Sequence, residues 1–319
     1  MKLLRTPDEQ FAHLIGYPFE SNYVEIPFEG QRIRMHYLDE GNLNAEVIML
    51  LHGQPSWNYL YRKVIPYLVG AGYRVIAPDL IGFGKSDKPG ALKDITYDRQ
   101  ETWLRVAMFE VLKLRNVTLY AQDWGGLLSL RIVAFHPEYF SRVMIANTGL
   151  PVGGKDSNFT PGDHPRMLTV TAGTWVWQNV ARYFPLFSPG TMAKLLTRFA
   201  TLSKEEKMAY NAPFPSRAFM AGPRVMPSLI PTKAKSHDTI RNWKAWNLLA
   251  NFEKPFRTAF SDHDDATRIL AVDQHFQKHV KGASDQRHVR IKNAGHFLQE
   301  DNPFDVAQSI IDFIQESPT

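Results

Sequence analysis

The sequence contains no cysteine. Disulfides, thiolate nucleophiles and cysteine-ligated metals are therefore excluded. It has no block of Lys and Arg and no repeated basic and aromatic pattern. Its 37 basic against 32 acidic residues, a net charge of +5, thus do not describe a nucleic-acid surface. No segment approaches the ~20 apolar residues of a membrane span, and the apolar run after Met1 is too short for a secretory signal. These absences set the expectation of a soluble cytoplasmic protein with neither a nucleic-acid nor a membrane partner. Internal repeats and low-complexity segments are missing too. So is any Gly-x-Ser-x-Gly, the serine form of a strand-turn-helix nucleophile. What is there is a chain of 319 residues, 44% hydrophobic, enough for one sizeable core.

The stretch Val117 to Gly126 organises the rest. Val117 to Tyr120 reads as a buried strand, and Leu127 to Phe135 as a helix with Leu127, Leu128, Leu130, Ile132 and Val133 as its apolar positions. Between them stand Asp123, Trp124, Gly125 and Gly126, with no room for an ordinary loop. This is the layout of the nucleophile elbow of α/β-hydrolases, with Asp123 where serine usually stands. The other reading of Asp123 is an N-cap of the helix that follows.

The remaining chain fits that layout. Strands are predicted at Tyr23 to Pro27, Arg32 to Leu38, Glu46 to Leu51, Arg74 to Ala77, Val143 to Ala146, Pro255 to Ser261 and His288 to Ile291. The first two flank a hairpin signal, Phe28-Glu29-Gly30-Gln31. Helices are predicted at Tyr59 to Val69, Arg99 to Leu112, Ile240 to Phe252, Val272 to His279 and Phe304 to Ile314. Alternation of this kind means a mostly parallel sheet, here of eight strands, with helices on both faces. After Leu150 the texture changes to aromatics, prolines and helical runs at Thr191 to Phe199 and Ser203 to Tyr210. Ser203 with Glu206 is a capping-box signal. The division expected is a main domain over residues 1–150 and 232–319, with a helical cap over 151–231 inserted after the sixth strand. Such caps exclude water from a reacting centre.

Three candidates for chemistry stand at strand ends in the order Asp123, Asp264, His296, which is the α/β-hydrolase order of nucleophile, acid and histidine. The acid follows Ser261 in Asp262-His263-Asp264-Asp265; Asp264 is the choice, with Asp262 second. His52-Gly53-Gln54-Pro55 ends the third strand. There the backbone N–H of Gln54, with that of Trp124 after the nucleophile, would form an oxyanion hole; otherwise His52-Gly53 is simply a tight turn. An aspartate nucleophile has a chemical rationale. Serine attacking an alkyl carbon would leave an ether resistant to water. Aspartate leaves an ester, which a histidine-activated water and an oxyanion hole can cleave. The elbow therefore suits displacement at sp³ carbon, in alkyl halides or epoxides. A departing halide needs N–H donors. Trp124 offers one, and either Trp175 or Trp177 a second, since residues two apart on a helix point to opposite sides.

Gln122 to Gly126, His52 to Arg62, Asp79 to Asp87 and Ala209 to Pro215 together resemble the haloalkane dehalogenases, most closely the branch typified by the 1,2-dichloroethane dehalogenase of Xanthobacter. The resemblance covers nearly the whole chain. It implies the α/β-hydrolase fold and a reaction that needs no cofactor and no metal; a monomer is expected. It also implies hydrolysis of a small halogenated aliphatic through a covalent aspartyl ester, giving a primary alcohol, halide and a proton. In that scheme Asp123 displaces halide and His296, paired with Asp264, activates water. Trp124 and Trp177 hold the halide, and Pro227 lines the pocket. Gln54 departs from the branch, which has Glu there. Epoxide hydrolysis is the alternative, with lid tyrosines such as Tyr183 and Tyr210 as donors. Gln122, where epoxide hydrolases have His, and the lid tryptophan argue against it.

Overall fold

In the computed structural model, which describes residues 1–152 and 172–318, the hairpin signal becomes a two-residue turn. Phe28 pairs with Gln31, and Glu29 and Gly30 both take positive φ, +47° and +74°. That is the turn whose twist matches paired antiparallel strands. It joins β1 (Asn22–Phe28) to β2 (Gln31–Glu40). The sheet is completed by β3 (Val47–Leu51), β4 (Arg74–Pro78), β5 (Val117–Gln122), β6 (Phe140–Ala146), β7 (Phe256–Ser261) and β8 (Val289–Ile291). Their spatial order is β1-β2-β4-β3-β5-β6-β7-β8. The first three neighbours pair β1 with β2 and β2 with β4 antiparallel, and every later pair is parallel. All eight strands fall where the hydrophobic pattern puts them. β5 and β6 are buried along their whole length, as central parallel strands covered on both faces must be. A short antiparallel pair, Leu3–Leu4 with Lys88–Pro89, lies outside this sheet and is too brief to leave a period in the sequence.

The chain steps one way from β3 to β4 and the other way from β5 onward. The right-handed crossover rule therefore sends the connecting helices to opposite faces. On one side α1 (Ile65–Gly70) packs against the C-terminal helix α12 (Pro303–Glu316); on the other, α3 (Trp124–Phe135) packs against α2 (Tyr97–Arg105) and α8 (His237–Leu249). The helix predicted from Arg99 to Leu112 is two pieces: α2 passes into a π-helical turn over Val106–Val111. The helix predicted from Tyr59 is likewise a 3₁₀ turn, Asn58–Tyr61, followed by α1.

Between β6 and β7 the described residues form no strand. They hold α4 (Ala172–Tyr183), α5 (Pro189–Leu196), α6 (Lys204–Asn211), α7 (Ala221–Val225) and then α8. Residues 153–171 of the expected cap, including the segment up to Arg166, lie outside the described residues. The Ser203–Glu206 capping box is formed in both directions at α6. Three short elements follow β7 and β8: α9 (Asp265–Ile269), α10 (Val272–His279) and α11 (Leu298–Asp301).

α11 ties this helical segment to the sheet. Glu300 is fully buried, pairs with Arg62, accepts from Lys63 at 2.8 Å and takes the Tyr210 hydroxyl of α6 at 2.6 Å. Arg62 also reaches Glu206 of α6 at 2.5 Å and lies over the Tyr59 ring. Asp301 accepts the backbone N–H groups of Phe199 (2.6 Å), Ala200 (2.7 Å), Arg198 (3.0 Å) and Gly295 (2.8 Å). Removing one partner of a buried ion pair strands the other charge. Replacing Arg62 with Met is thus expected to lower unfolding stability by about 3 kcal/mol, measured by urea titration. An unchanged midpoint would mean that Lys63 alone neutralises Glu300.

Candidate active site

The end of β5 turns into α3 within one residue. Asp123 makes that turn at φ +51°, ψ −127°, a conformation costly for a residue with a side chain. Close packing holds it there. A Cβ on Gly125 would come 2.3 Å from the Leu51 carbonyl oxygen, and one on Gly126 would come 2.2 Å from Thr148 Oγ1. Thr148 in turn donates to the Asp123 carbonyl at 2.7 Å. The helix begins at Trp124, earlier than its apolar pattern suggests, and Asp123 does not cap it with its side chain. The carboxylate points away instead. Its Oδ1 accepts the backbone N–H of Gln54 at 2.7 Å.

Gln54 lies at the end of β3, next to β5 in the sheet, where the strand order reverses; ligands of open α/β sheets bind at such a crevice. Its side chain donates to the Pro223 carbonyl at 2.7 Å, so the loop is tied to α7. Gly53 is required: a Cβ there would lie 2.1 Å from Asp123 Oδ1. His52 is structural. Its Nε2 accepts the N–H of Leu80 at 3.0 Å and its Nδ1 faces the Gly53 carbonyl at 2.9 Å, which makes Nδ1 the protonated nitrogen. Burial keeps it below the usual histidine range.

β7 and β8 bring in the other two candidates. His296 Nδ1 is 3.2 Å from Asp264 Oδ2, and its Nε2 is 3.6 Å from Asp123 Oδ2. Asp264 is nearly buried and also accepts from Thr267 Oγ1 at 2.8 Å. The second choice for the acid, Asp262, does something else: it pairs with His263 and accepts the N–H groups of Asn293 and Ala294, each at 3.1 Å. It shapes the loop that carries the histidine. Burial opposes a charge on His296, but the carboxylates of Asp264 and Asp123 outweigh it and push the group up to about 10.

Trp124 is buried edge-on against the Tyr97 ring, at 5.2 Å between centroids, and its indole N–H donates to no described residue. Of the two lid tryptophans, Trp175 is 61% exposed, whereas Trp177 is half-buried, packed on the core and 5.7 Å from the Phe187 ring. Pro227 is buried, and its carbonyl takes the Gln178 amide of α4 at 2.9 Å. Of the tyrosines considered as epoxide donors, one faces solvent and the other is engaged by a carboxylate. Tyr183 is 65% exposed, and the buried Tyr210 donates to Glu300.

Asn147, at the centre, was not singled out from sequence, and Gln122 was noted only for standing where epoxide hydrolases have His. Asn147, at φ +39° after β6, accepts the N–H of Ser261 at 2.9 Å and donates to the carbonyls of Gly295 and His296, each at 3.1 Å. It thereby ties the ends of β6, β7 and the histidine loop. Gln122 lies against His296 itself, 3.0 Å from Nε2. The only signal for Asn147 is a polar residue ending an apolar strand, which many turns share.

Residues 46–303 match the family model of the alpha/beta hydrolase fold. A haloalkane dehalogenase of Psychrobacter cryohalolentis is 43% identical over the full length of both chains. One of Mycobacterium marinum is 40% identical over 98% of this chain and 99% of its own. Among solved structures, the tetrameric haloalkane dehalogenase DpaA of Paraglaciecola agarilytica superposes with a TM-score of 0.83 at 29% identity, covering 98% of both chains.

The fit of Gly53 against the carboxylate makes a direct prediction. Gly53→Ala should leave the fold intact by circular dichroism yet lower halide release from 1-bromobutane by about 100-fold, the usual effect of displacing a reacting group by an ångström. Wild-type activity in that variant would mean that Asp123 is not the group that must be held in place.

Proposed function

The chain belongs to the haloalkane dehalogenases of the α/β-hydrolase fold, and from that premise we propose how its residues perform the reaction. It hydrolyses the carbon–halogen bond of a haloalkane. Asp123 is the nucleophile: its carboxylate attacks the carbon bearing the halogen, forming an aspartyl alkyl ester as halide leaves. The observation that carries this reading is the carboxylate at the elbow, held by the Gln54 N–H and 3.6 Å from His296, which is itself 3.2 Å from Asp264. Trp124 and Trp177 donate their indole N–H groups to the halide, supported by a Trp124 N–H that meets no acceptor among the described residues and by the inward packing of Trp177.

His296 then takes a proton from water, which adds to the ester carbonyl. The developing oxyanion is held by the N–H groups of Gln54 and Trp124. Esterification removes one of the two negative charges that favour an imidazolium, so His296 becomes easier to deprotonate just when a base is needed. Asp264 keeps the ring oriented, and the helices described between Ala172 and β7 serve as the lid. The exposure of Tyr183 and the commitment of Tyr210 weigh against epoxide hydrolysis. The finer resemblance to the Xanthobacter branch rests on the motifs quoted above.

No helix among the described residues is long and apolar enough to cross a membrane; a cytoplasmic location is our proposal. So is a monomer, since the catalytic groups all come from one chain. The tetramer of the similar Paraglaciecola protein makes light scattering the check, with 36.5 kDa expected.

Asp123→Asn should lower steady-state halide release from 1-bromobutane by at least about 1,000-fold. Retained turnover, without deamidation by mass spectrometry, would exclude Asp123 as nucleophile. Trp177→Phe should weaken bromide binding by about 10-fold or more, the worth of one hydrogen bond to a charged group, while Trp175→Phe should not. The opposite ranking, read from bromide quenching of tryptophan fluorescence, would reassign the lid donor.

A further inference from the structure

We propose that Gln122 is a positioning residue that sets the proton state of His296, holding its Nε2 edge as a lone pair able to accept a proton from water. The inference rests on the reading of His296 as the base. Gln122 Nε2 is 3.0 Å from His296 Nε2 and 3.2 Å from the His296 carbonyl oxygen. That carbonyl, which also takes the Asn147 amide at 3.1 Å, can only accept. The Gln122 atom facing it is therefore the amide nitrogen, because turning the amide over would set two oxygens against each other. One amide hydrogen serves the carbonyl, and the other points at the imidazole. An N–H aimed at Nε2 is favourable only when Nε2 carries no proton; Nδ1 then carries the ring's hydrogen and gives it to Asp264.

Gln122 keeps this orientation at a cost. Its Oε1 is buried with no partner among the described residues, a loss of hydrogen bonding that folded proteins rarely tolerate without a use for it. The charged groups that face the ring are Asp264, from the loop after β7, and Asp123, from the elbow. Both favour the imidazolium. Gln122 opposes Asp123 at the Nε2 edge, its nitrogen 3.0 Å from Nε2 against 3.6 Å for Asp123 Oδ2, a separation too long for a hydrogen bond.

In the hydrolytic step the water oxygen bonds to Cγ of the Asp123 ester and a water proton passes to Nε2. The Gln122 hydrogen gives up Nε2 and keeps the carbonyl. The bond from Cγ to the alkyl oxygen then breaks, and that oxygen leaves as alcohol with the proton from Nε2. Asp123 loses its remaining proton to solvent and is a carboxylate again.

The test is rapid-quench measurement of halide and alcohol from 1-bromobutane between pH 6 and 10, with intact-mass detection of the alkyl-enzyme. Wild type, Gln122→Met, Gln122→Glu and His296→Gln would be compared. Alcohol formation rises with pH as His296 deprotonates. Gln122→Met lacks the donor, so its midpoint should move up by about one pH unit or more, with the halide burst changed less. Gln122→Glu accepts from Nε2–H and locks the imidazolium. It should release one halide per site, accumulate the ester and slow alcohol formation by about 100-fold at pH 8, the scale of lost base catalysis. A wild-type midpoint in Gln122→Met overturns the proposal, even if Gln122→Glu fails to fold. His296→Gln separates the two readings. If it traps no ester, the assignment of the base falls; if it does while both Gln122 variants keep wild-type profiles, only the role of Gln122 falls.

Discussion

Everything at this site depends on the backbone at Asp123 staying at positive φ. Nothing in the residue favours that conformation; its surroundings impose it. Gly125 lets α3 sit against the carbonyls of Leu51 and His52, Gly126 admits Thr148, and Gly53 admits the carboxylate. Thr148 holds the Asp123 carbonyl from the end of β6. Four segments, the ends of β3, β5 and β6 and the first turn of α3, thus meet with no side-chain volume to spare. Relaxing the turn would push one of them away. The strain of one residue is over-determined by its neighbours, as functional backbone outliers generally are. Its effect is to lift a carboxylate clear of the sheet, with one oxygen on an N–H and the other turned toward a histidine.

The second constraint is electrostatic. A histidine between two carboxylates is drawn toward the charged form, yet base catalysis needs it neutral. An aspartate nucleophile resolves part of this conflict by its own chemistry, because forming the ester removes one of the charges. A serine elbow has no such change, since its nucleophile is neutral before and after acylation. The orientation of the Gln122 amide resolves more of it, at the edge of the ring where the proton must arrive. This also gives physical content to Gln rather than His in front of the nucleophile: an amide donates hydrogen bonds but does not titrate.

Periodicity made the eight strands legible, and the elbow and the strand-end positions of Asp264 and His296 followed from them. Those signals are local. Asp264 could be preferred over Asp262 because each lies at a countable distance from the end of β7, although only the fold shows Asp262 engaged with Asn293 and Ala294. What sequence could not reveal are groups whose role comes from contacts distant in the chain. Asn147 binds Ser261 and His296, and Gln122 binds His296 across 174 positions. Asn147 belongs to no spacing, and the place of Gln122 before the nucleophile carries no hint of this contact. The π-helical turn after α2 and the break before α1 were missed for a related reason: backbone hydrogen bonds shift register there while Ala107, Met108 and Phe109, and Tyr59 to Tyr61, stay buried.

The histidine loop and the helical segment are not independent parts. Gly295, the residue before His296, gives its N–H to Asp301, and the same carboxylate gathers the N–H groups of residues 198–200. Phe297, the residue after, donates its own N–H to the Leu196 carbonyl at 3.0 Å. A Cβ on Gly295 would come 2.9 Å from Arg198 Cβ. His296 is thus gripped on both sides by the segment that leads from α5 to α6. Glu300 repeats the connection one residue earlier, through Arg62 and Tyr210. A displacement of that segment would shift the loop that carries His296 relative to Asp264. The position of His296 relative to Asp264 is therefore set by the segment between α5 and α6 as much as by the loop that carries the histidine.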